Sequence, residues 1–153
     1  EAYKGRGDSY TWLDEWERAI TDYNKAIELD PEFAEAYKGR GSAYSWLKEY
    51  QRAITEHDKA IELDPEFVRA YKGRGVAYFY LDMYQKAIAD YNKAIELDSG
   101  YAEAYYNRGV AYIELGEHQK AIDDYNKVLS LTDDPVLIRK AEDALEDLGA
   151  VRD

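Results

Sequence analysis

The chain has 153 residues, 32 Asp and Glu against 20 Lys and Arg, a formal charge of −12 and no cysteine. One domain of ordinary size fits that length, and the absent thiols exclude a disulfide framework, a thiolate zinc site and a cysteine nucleophile. The acidic balance opposes nucleic acid and anionic membrane as partners, because both are held largely by clustered Lys and Arg.

Taken in chain order, the sequence repeats itself every 34 residues. Tyr3, Tyr37, Tyr71 and Tyr105 recur at that interval. They are followed by Gly7, Gly41, Gly75 and Gly109, then by Tyr10, Tyr44, Tyr78 and Tyr112. Leu13, Leu47, Leu81 and Leu115 come next, then the Ala-Ile pairs at 19–20, 53–54, 87–88 and 121–122, and Leu29, Leu63, Leu97 and Leu131 close each unit. Periods of this length mark stacked helical arrays.

Each unit divides into two amphipathic helices. Tyr37, Gly41 and Tyr44 fall at i, i+4 and i+7, and Ala53, Ile54, His57, Ala60 and Ile61 form a second stripe of the same period. Short polar joints such as Lys48-Glu49 and Gly116-Glu117 lie within units, and Asp30-Pro31 and Asp64-Pro65 lie between them, where proline stops the preceding helix. The predicted helices are 1–14, 17–30, 34–47, 50–63, 68–81, 84–97, 102–115 and 118–131. A ninth, 135–148, follows an Asp134-Pro135 start and carries Leu137, Ala141, Ala144, Leu145 and Leu148 on one side before Gly149 ends it. It reads as a cap on the last hairpin, and no such cap precedes Glu1.

Glycine inside a helix costs about 1 kcal/mol relative to alanine, so the register of Gly41 requires an offsetting gain. Close approach of Ala53 or Ala60 from the partner helix is the expected one.

These residues resemble the tetratricopeptide repeat family, whose pattern runs through an aromatic, Gly, Tyr, Ala, an aromatic and Pro; Tyr37, Gly41, Tyr44, Ala53, Ala60 and Pro65 meet six of its positions within one unit. The resemblance covers residues 1–135. It implies an all-α fold, a right-handed α-α superhelix (solenoid) of four such hairpins plus a C-terminal capping helix, with the first helices lining a concave, protein-binding face. The expected units are 1–33, 34–67, 68–101 and 102–135, with a capping helix and tail at 136–153. Three departures predict locally looser packing: His57 where an aromatic is usual, Val128 where a small residue is usual, and Ser99-Gly100 in place of the turn proline.

No converging set of nucleophile, base and orienting group is visible, and neither a cofactor nor a metal is expected. His57 and His118 read as ring-shaped fillers of aromatic slots. Arg6, Arg40, Arg74 and Arg108 share one register on the first helices, and Asp22, Glu56, Asp90 and Asp124 share one on the second helices. The pattern reads either as a ladder of structural ion pairs or as arginines that reach a ligand carboxylate.

Advancing about 100° per residue from the packed Tyr37-Gly41-Tyr44 stripe gives the opposite face of each first helix. The expected peptide-binding residues there are Lys4, Trp12, Lys38, Ser42, Trp46, Arg69, Lys72, Phe79, Tyr80, Tyr106 and Asn107, the alternative being that the Trp rings pack against the neighbouring hairpin with the Lys side chains lying over them. Gly5, Gly39 and Gly73 are expected to leave shallow troughs between the rings. Some family members clamp a partner's C-terminal carboxylates on this face. Lys4 and Arg69 fit that clamp, whereas Asp8 and Gly39 stand where it needs amides and Gly73 where it needs a basic side chain, so chaperone tails are not the expected ligand.

The expected function is a non-catalytic scaffold holding an extended peptide or partner protein in the concave groove. Two alternatives stay open. One is a homo-oligomer formed by stacking of the uncapped first hairpin. The other is an engineered or recently duplicated array without an evolved ligand, since 1–33 and 34–67 are nearly copies. The longest apolar run falls short of the roughly 18 residues of a membrane span, so a soluble chain is expected. The start at Glu1, without Met or an apolar leader, reads as a piece excised from a longer protein, with the cytoplasm as default compartment.

Overall fold

The computed structural model describes residues 1–150, so the last three residues of the expected 136–153 segment lie outside it. The described residues form nine α-helices and no strand: α1 (Ala2–Trp12), α2 (Trp16–Leu29), α3 (Ala34–Trp46), α4 (Tyr50–Leu63), α5 (Val68–Tyr80), α6 (Tyr84–Leu97), α7 (Ala102–Glu114), α8 (His118–Leu131) and α9 (Pro135–Asp147). Each helix packs on its neighbours in sequence, and α1, α3, α5 and α7 also touch in series, so the hairpins stack into an α-α superhelix. Among these helices none is long and apolar enough to cross a membrane.

Two joints set this geometry. Within hairpins the chain turns through a left-handed residue, Asp14, Lys48, Asp82 or Gly116, with φ between 57° and 72°. Between hairpins Asp30, Asp64 and Asp98 leave the helix in an extended conformation. Their carboxylates then accept from the backbone N–H of Glu32, Glu66 and Gly100 at 3.1, 3.1 and 2.9 Å. Ser99-Gly100 therefore makes the same turn as the proline-containing joints, and the expected loosening there is absent. The aspartate, and not the proline, carries the turn.

The core is built from small residues and single rings. Ala19, Ala53, Ala87 and Ala121 are buried on the second helices, and Ala36, Ala70 and Ala104 on the first. That lets helices approach closely around one large side chain per hairpin: Tyr23, His57, Tyr91 and Tyr125, all nearly inaccessible. These rings, not Ala53 or Ala60, explain the glycine register. A Cβ on Gly7, Gly75 or Gly109 would lie 2.8, 2.6 or 2.7 Å from Cε1 of Tyr23, Tyr91 or Tyr125, and one on Gly41 would lie 3.0 Å from the His57 ring.

Val128 is fully buried in a cluster with Tyr125, Leu137, Ala141 and Leu145, so packing there is also not loosened. The extra volume of valine meets α9, which covers α8. The Asp134 carboxylate starts α9 by accepting from the Val136 N–H at 2.9 Å.

Candidate functional site

The four register arginines are ion-paired. Arg6, Arg74 and Arg108 each make two hydrogen bonds to one carboxylate on the second helix of the same hairpin, Asp22 at 2.5 and 2.6 Å, and Asp90 and Asp124 at 2.8 and 2.6 Å. Arg40 holds Glu56 at 2.9 and 2.5 Å. Three of them also reach back to the preceding hairpin, where Arg40, Arg74 and Arg108 donate to Asn24, Asp58 and Asn92, each at 2.6 Å. Arg6 holds the Asp22 carboxyl below the ordinary range. Each guanidinium also sits over a first-helix ring, such as Arg74 over Tyr71 at 5.6 Å. Arg40, Arg74 and Arg108 thus staple hairpins together, and Arg6 ties α1 to α2.

The cations of the inner face are differently placed. Lys4 pairs with Asp8 at 2.7 Å, and Lys72 with Glu103 of the next hairpin at 2.9 Å. Lys38 and Arg69 have no ion-pair partner among the described residues. Burial pulls the Lys38 ammonium below the ordinary lysine value, the nearby cations Lys4, Arg69 and Lys72 add to this, and Asp8 opposes it. Burial acts the same way on Lys72, but Tyr101 and Glu103 outweigh it and hold that ammonium above the ordinary value.

The rings form a ladder that crosses hairpin boundaries. Trp46 stacks on Trp16 with centroids 5.2 Å apart, and Tyr80 on Tyr50 at 5.0 Å. Both outer rings remain accessible, Trp46 by 66% and Tyr80 by 58%, while Trp12, which has no such partner, is 88% exposed. Phe79 packs edge-on against Tyr80 and Tyr84, and Tyr106 tilts over Tyr125.

Two hollows open between consecutive first helices. A smaller one of about 230 Å³ brings together Phe79, Tyr80, Tyr106 and Asn107. The larger, about 630 Å³, lies between α3 and α5 and is lined by Ser42, Ser45, Trp46, Lys48, Tyr50, His57, Lys72, Gly73, Val76 and Tyr80. The structure thus gathers Ser42, Trp46, Lys72 and Tyr80 into one cavity, while Lys4 and Trp12 lie at the α1 end. The expected glycine troughs are not all present. A Cβ on Gly39 would lie 2.6 Å from the Tyr23 ring and one on Gly73 would lie 2.5 Å from the His57 ring, so both positions are filled from the preceding second helix, and only Gly5 faces open space.

His57 at the cavity floor is visible in the sequence only as a departure from the repeat. Burial, aided by Lys38, Arg74 and Lys72, lowers its pKa to about 3, so its imidazole is neutral. Neither ring nitrogen, nor the buried Ser45 hydroxyl, has a hydrogen-bond partner. The other histidine, His118, is not a buried filler. It is exposed at the start of α8, in register with Trp16, Tyr50 and Tyr84. Among the described residues no three His, Cys, Asp or Glu side chains are placed to hold a metal ion.

Comparison with known proteins matches this geometry. Tetratricopeptide repeat describes residues 34–67, 68–101 and 102–132, and TPR repeat describes 7–45. No curated protein sequence is significantly similar to the chain. Among solved structures, MamA is 32% identical with a TM-score of 0.78, the alignment covering 94% of this chain and 85% of that one. The first TPR of Spaghetti (RPAP3), bound to the HSP90 peptide SRMEEVD, is 29% identical with a TM-score of 0.73, covering 75% of this chain and 91% of that one. TTC0263, a thermophilic TPR protein of Thermus thermophilus, shares the fold, with a TM-score of 0.87 at 20% identity, covering 97% of this chain and 82% of that one. With the repeat pattern matched over most of its length, the chain belongs to the tetratricopeptide repeat family, whose helical-repeat superhelix is typical of protein–protein interaction scaffolds.

Proposed function

We propose that this protein is a non-catalytic scaffold that binds an acidic, extended segment of a partner protein along the face formed by α1, α3, α5 and α7. The observation that carries this reading is Lys38. It is half-buried, has no ion-pair partner among the described residues, and sits among Lys4, Arg69 and Lys72 in a chain of charge −12. Such a local surplus of cations lowers its energy by taking up an anion, and its attraction for an acidic segment weakens with salt. The accessible rings of Trp46 and Tyr80, further along α3 and α5, supply flat apolar contact. Two TPR domains of RPAP3 resembling this chain, at 29% and 28% identity, are described with the peptides SRMEEVD and SGPTIEEVD, both rich in carboxylates. Because Asp8, Gly39 and Gly73 occupy the clamp positions, an internal acidic segment is the expected ligand, not a chaperone tail.

Titrating a fluorescein-labelled peptide of four glutamates tests this. Binding that weakens as salt is raised, and a Lys38→Glu variant that binds at least about tenfold less with an unchanged melting temperature, are the expected results. Equal affinity in the variant removes the reading.

A second reading, self-association, is favoured by α1. Trp12 is 88% exposed, and the Arg6 side chain is 57% exposed against 18–20% for Arg40, Arg74 and Arg108.

A further inference from the structure

At the cavity over His57 one hairpin departs from the others at three positions. In the first hairpin the Tyr23 hydroxyl donates to the Asp8 carboxylate at 2.8 Å and lies 3.2 Å from the Thr11 hydroxyl. One repeat later, those three stations are His57, Ser42 and Ser45. The imidazole is shorter than a phenol, so it occupies the ring's place against Gly41 and Gly73 but leaves the hydroxyl's place empty of protein. In the third and fourth hairpins the rings are again tyrosine, Tyr91 and Tyr125, and the two partner stations are apolar, Val76 with Phe79 and Val110 with Ile113. Only in the second hairpin do hydroxyls face a truncated ring. The cavity above these groups measures about 630 Å³, within the range of roughly 300–1,000 Å³ typical of ligand sites. Its floor bears the fully buried His57 imidazole and the Ser45 hydroxyl, neither of them hydrogen-bonded. Its walls are Trp46, Tyr50, Val76 and Tyr80.

We infer that this cavity takes a tyrosine side chain of the bound segment, its ring between Trp46 and Tyr80 and its hydroxyl on Ser45 and His57. This rests on the groove-binding reading and adds a specificity element to it. A phenol hydroxyl both donates and accepts, as do a serine hydroxyl and a neutral imidazole, so one group can partner the Ser45 hydroxyl and one of the two His57 nitrogens. The aromatic and aliphatic walls suit its ring, and the offset geometry is already used by the Trp16–Trp46 and Tyr50–Tyr80 pairs. The chain itself shows one of these contacts: the Tyr23 hydroxyl lies 3.2 Å from that of Thr11, the equivalent of Ser45 one hairpin earlier.

The test uses the whole chain and two kinds of probe. The first is p-cresol, the tyrosine side chain without a backbone, followed through the Trp46 indole resonance, with toluene as the comparison. The second is a set of acetylated, amidated pentapeptides, Glu-Glu-X-Glu-Glu, with X as Tyr, Phe, Ala or Glu. The expected results are shifts with p-cresol that exceed those with toluene, and an affinity for X = Tyr about tenfold or more above X = Phe, since leaving the floor unmatched carries a penalty of that order. Ser45→Ala should narrow the Tyr–Phe gap while keeping the Phe peptide's affinity. His57→Tyr should fill the cavity and abolish the p-cresol response. If all four peptides bind equally in a Lys38-dependent way, the cavity assignment fails and the groove reading stands. Tighter binding of X = Glu than X = Tyr overturns the phenol in favour of a carboxylate. If no peptide binds, the groove reading fails, and the p-cresol experiment then decides the cavity alone. Equal shifts with p-cresol in wild type and His57→Tyr overturn it.

Discussion

His57 is the residue at which stability and ligand recognition meet. In the folded chain its imidazole stays neutral down to a pKa of about 3, against an ordinary value of 6.5, because burial and the cations Lys38, Arg74 and Lys72 all oppose its charge. Between those two values the unfolded chain takes up a proton at this site and the folded chain does not. Stability from this residue is therefore complete above pH 6.5 and declines as the pH falls toward 3. At a pH two units below the ordinary value the loss is about 2–3 kcal/mol. Urea denaturation of wild type and His57→Tyr at neutral pH and near pH ~4.5 measures it. Tyrosine has no charge change in that window, so the variant should lose less stability on acidification by about that amount. An identical pH dependence in both proteins would mean that the imidazole is hydrated or charged in the native state.

At the scale of the helix, the same glycine register has opposite energetics at successive positions. Gly5, Gly39 and Gly73 occupy equivalent places on α1, α3 and α5. A Cβ at Gly5 meets nothing within 4 Å, whereas one at Gly39 would lie 2.6 Å from Cε1 and Cζ of Tyr23, which is 1% exposed and held by two hydrogen-bonding contacts. Gly5→Ala should accordingly stabilise by about 0.5–1 kcal/mol through helix propensity alone. Gly39→Ala should destabilise by about 1–3 kcal/mol, because a locked ring cannot move aside. Urea midpoints of the two variants give the signs directly, and a stabilising Gly39→Ala would contradict the packing described for Tyr23.

That contrast also marks how far the sequence can be read. The 34-residue register and the polar joints place eight helices, and the Asp134-Pro135 start the ninth, within two residues of their ends, because periodicity and breakers act locally. Lys38, Trp46, Lys72 and Tyr80 are legible for the same reason, as they follow from the helical period. Which ring fills Gly39 or Gly73 depends on a helix in the preceding hairpin, and spacing along one helix carries no information about it. The reach of Arg40, Arg74 and Arg108 to Asn24, Asp58 and Asn92 is likewise invisible within a single unit. A signal is nonetheless present, since each acceptor lies 16 residues before its arginine, the same separation that joins each arginine to its own hairpin's carboxylate.

For the whole molecule, the decisive asymmetry is between the two ends of the stack. Leu137, Ala141 and Leu145 of α9 bury Tyr125 and Val128 of α8, so that end offers no unfilled register. On α1 the equivalent of each contact made by α2 on α3 is unmet. Gly5 has no ring against it, Trp12 has no stacking partner of the Trp16 kind, and Arg6 has no acceptor corresponding to Asn24. Within a second copy, the helices equivalent to α2 already pack on α3, α5 and α7 or are covered by α9. A dimer of this 153-residue chain formed through α1 would be isologous, with Trp12 of each copy packed on the other. Each copy carries a charge of −12, so their repulsion opposes this contact and salt relieves it. Sedimentation velocity should show a dimer whose population grows with protein concentration and with sodium chloride, and Trp12→Ala should return it to monomer at both ionic strengths. The salt dependence is opposite to that of acidic-peptide binding, so the two interactions are separable in one protein. A monomer independent of concentration and salt would leave the groove as the surface through which this scaffold meets other proteins.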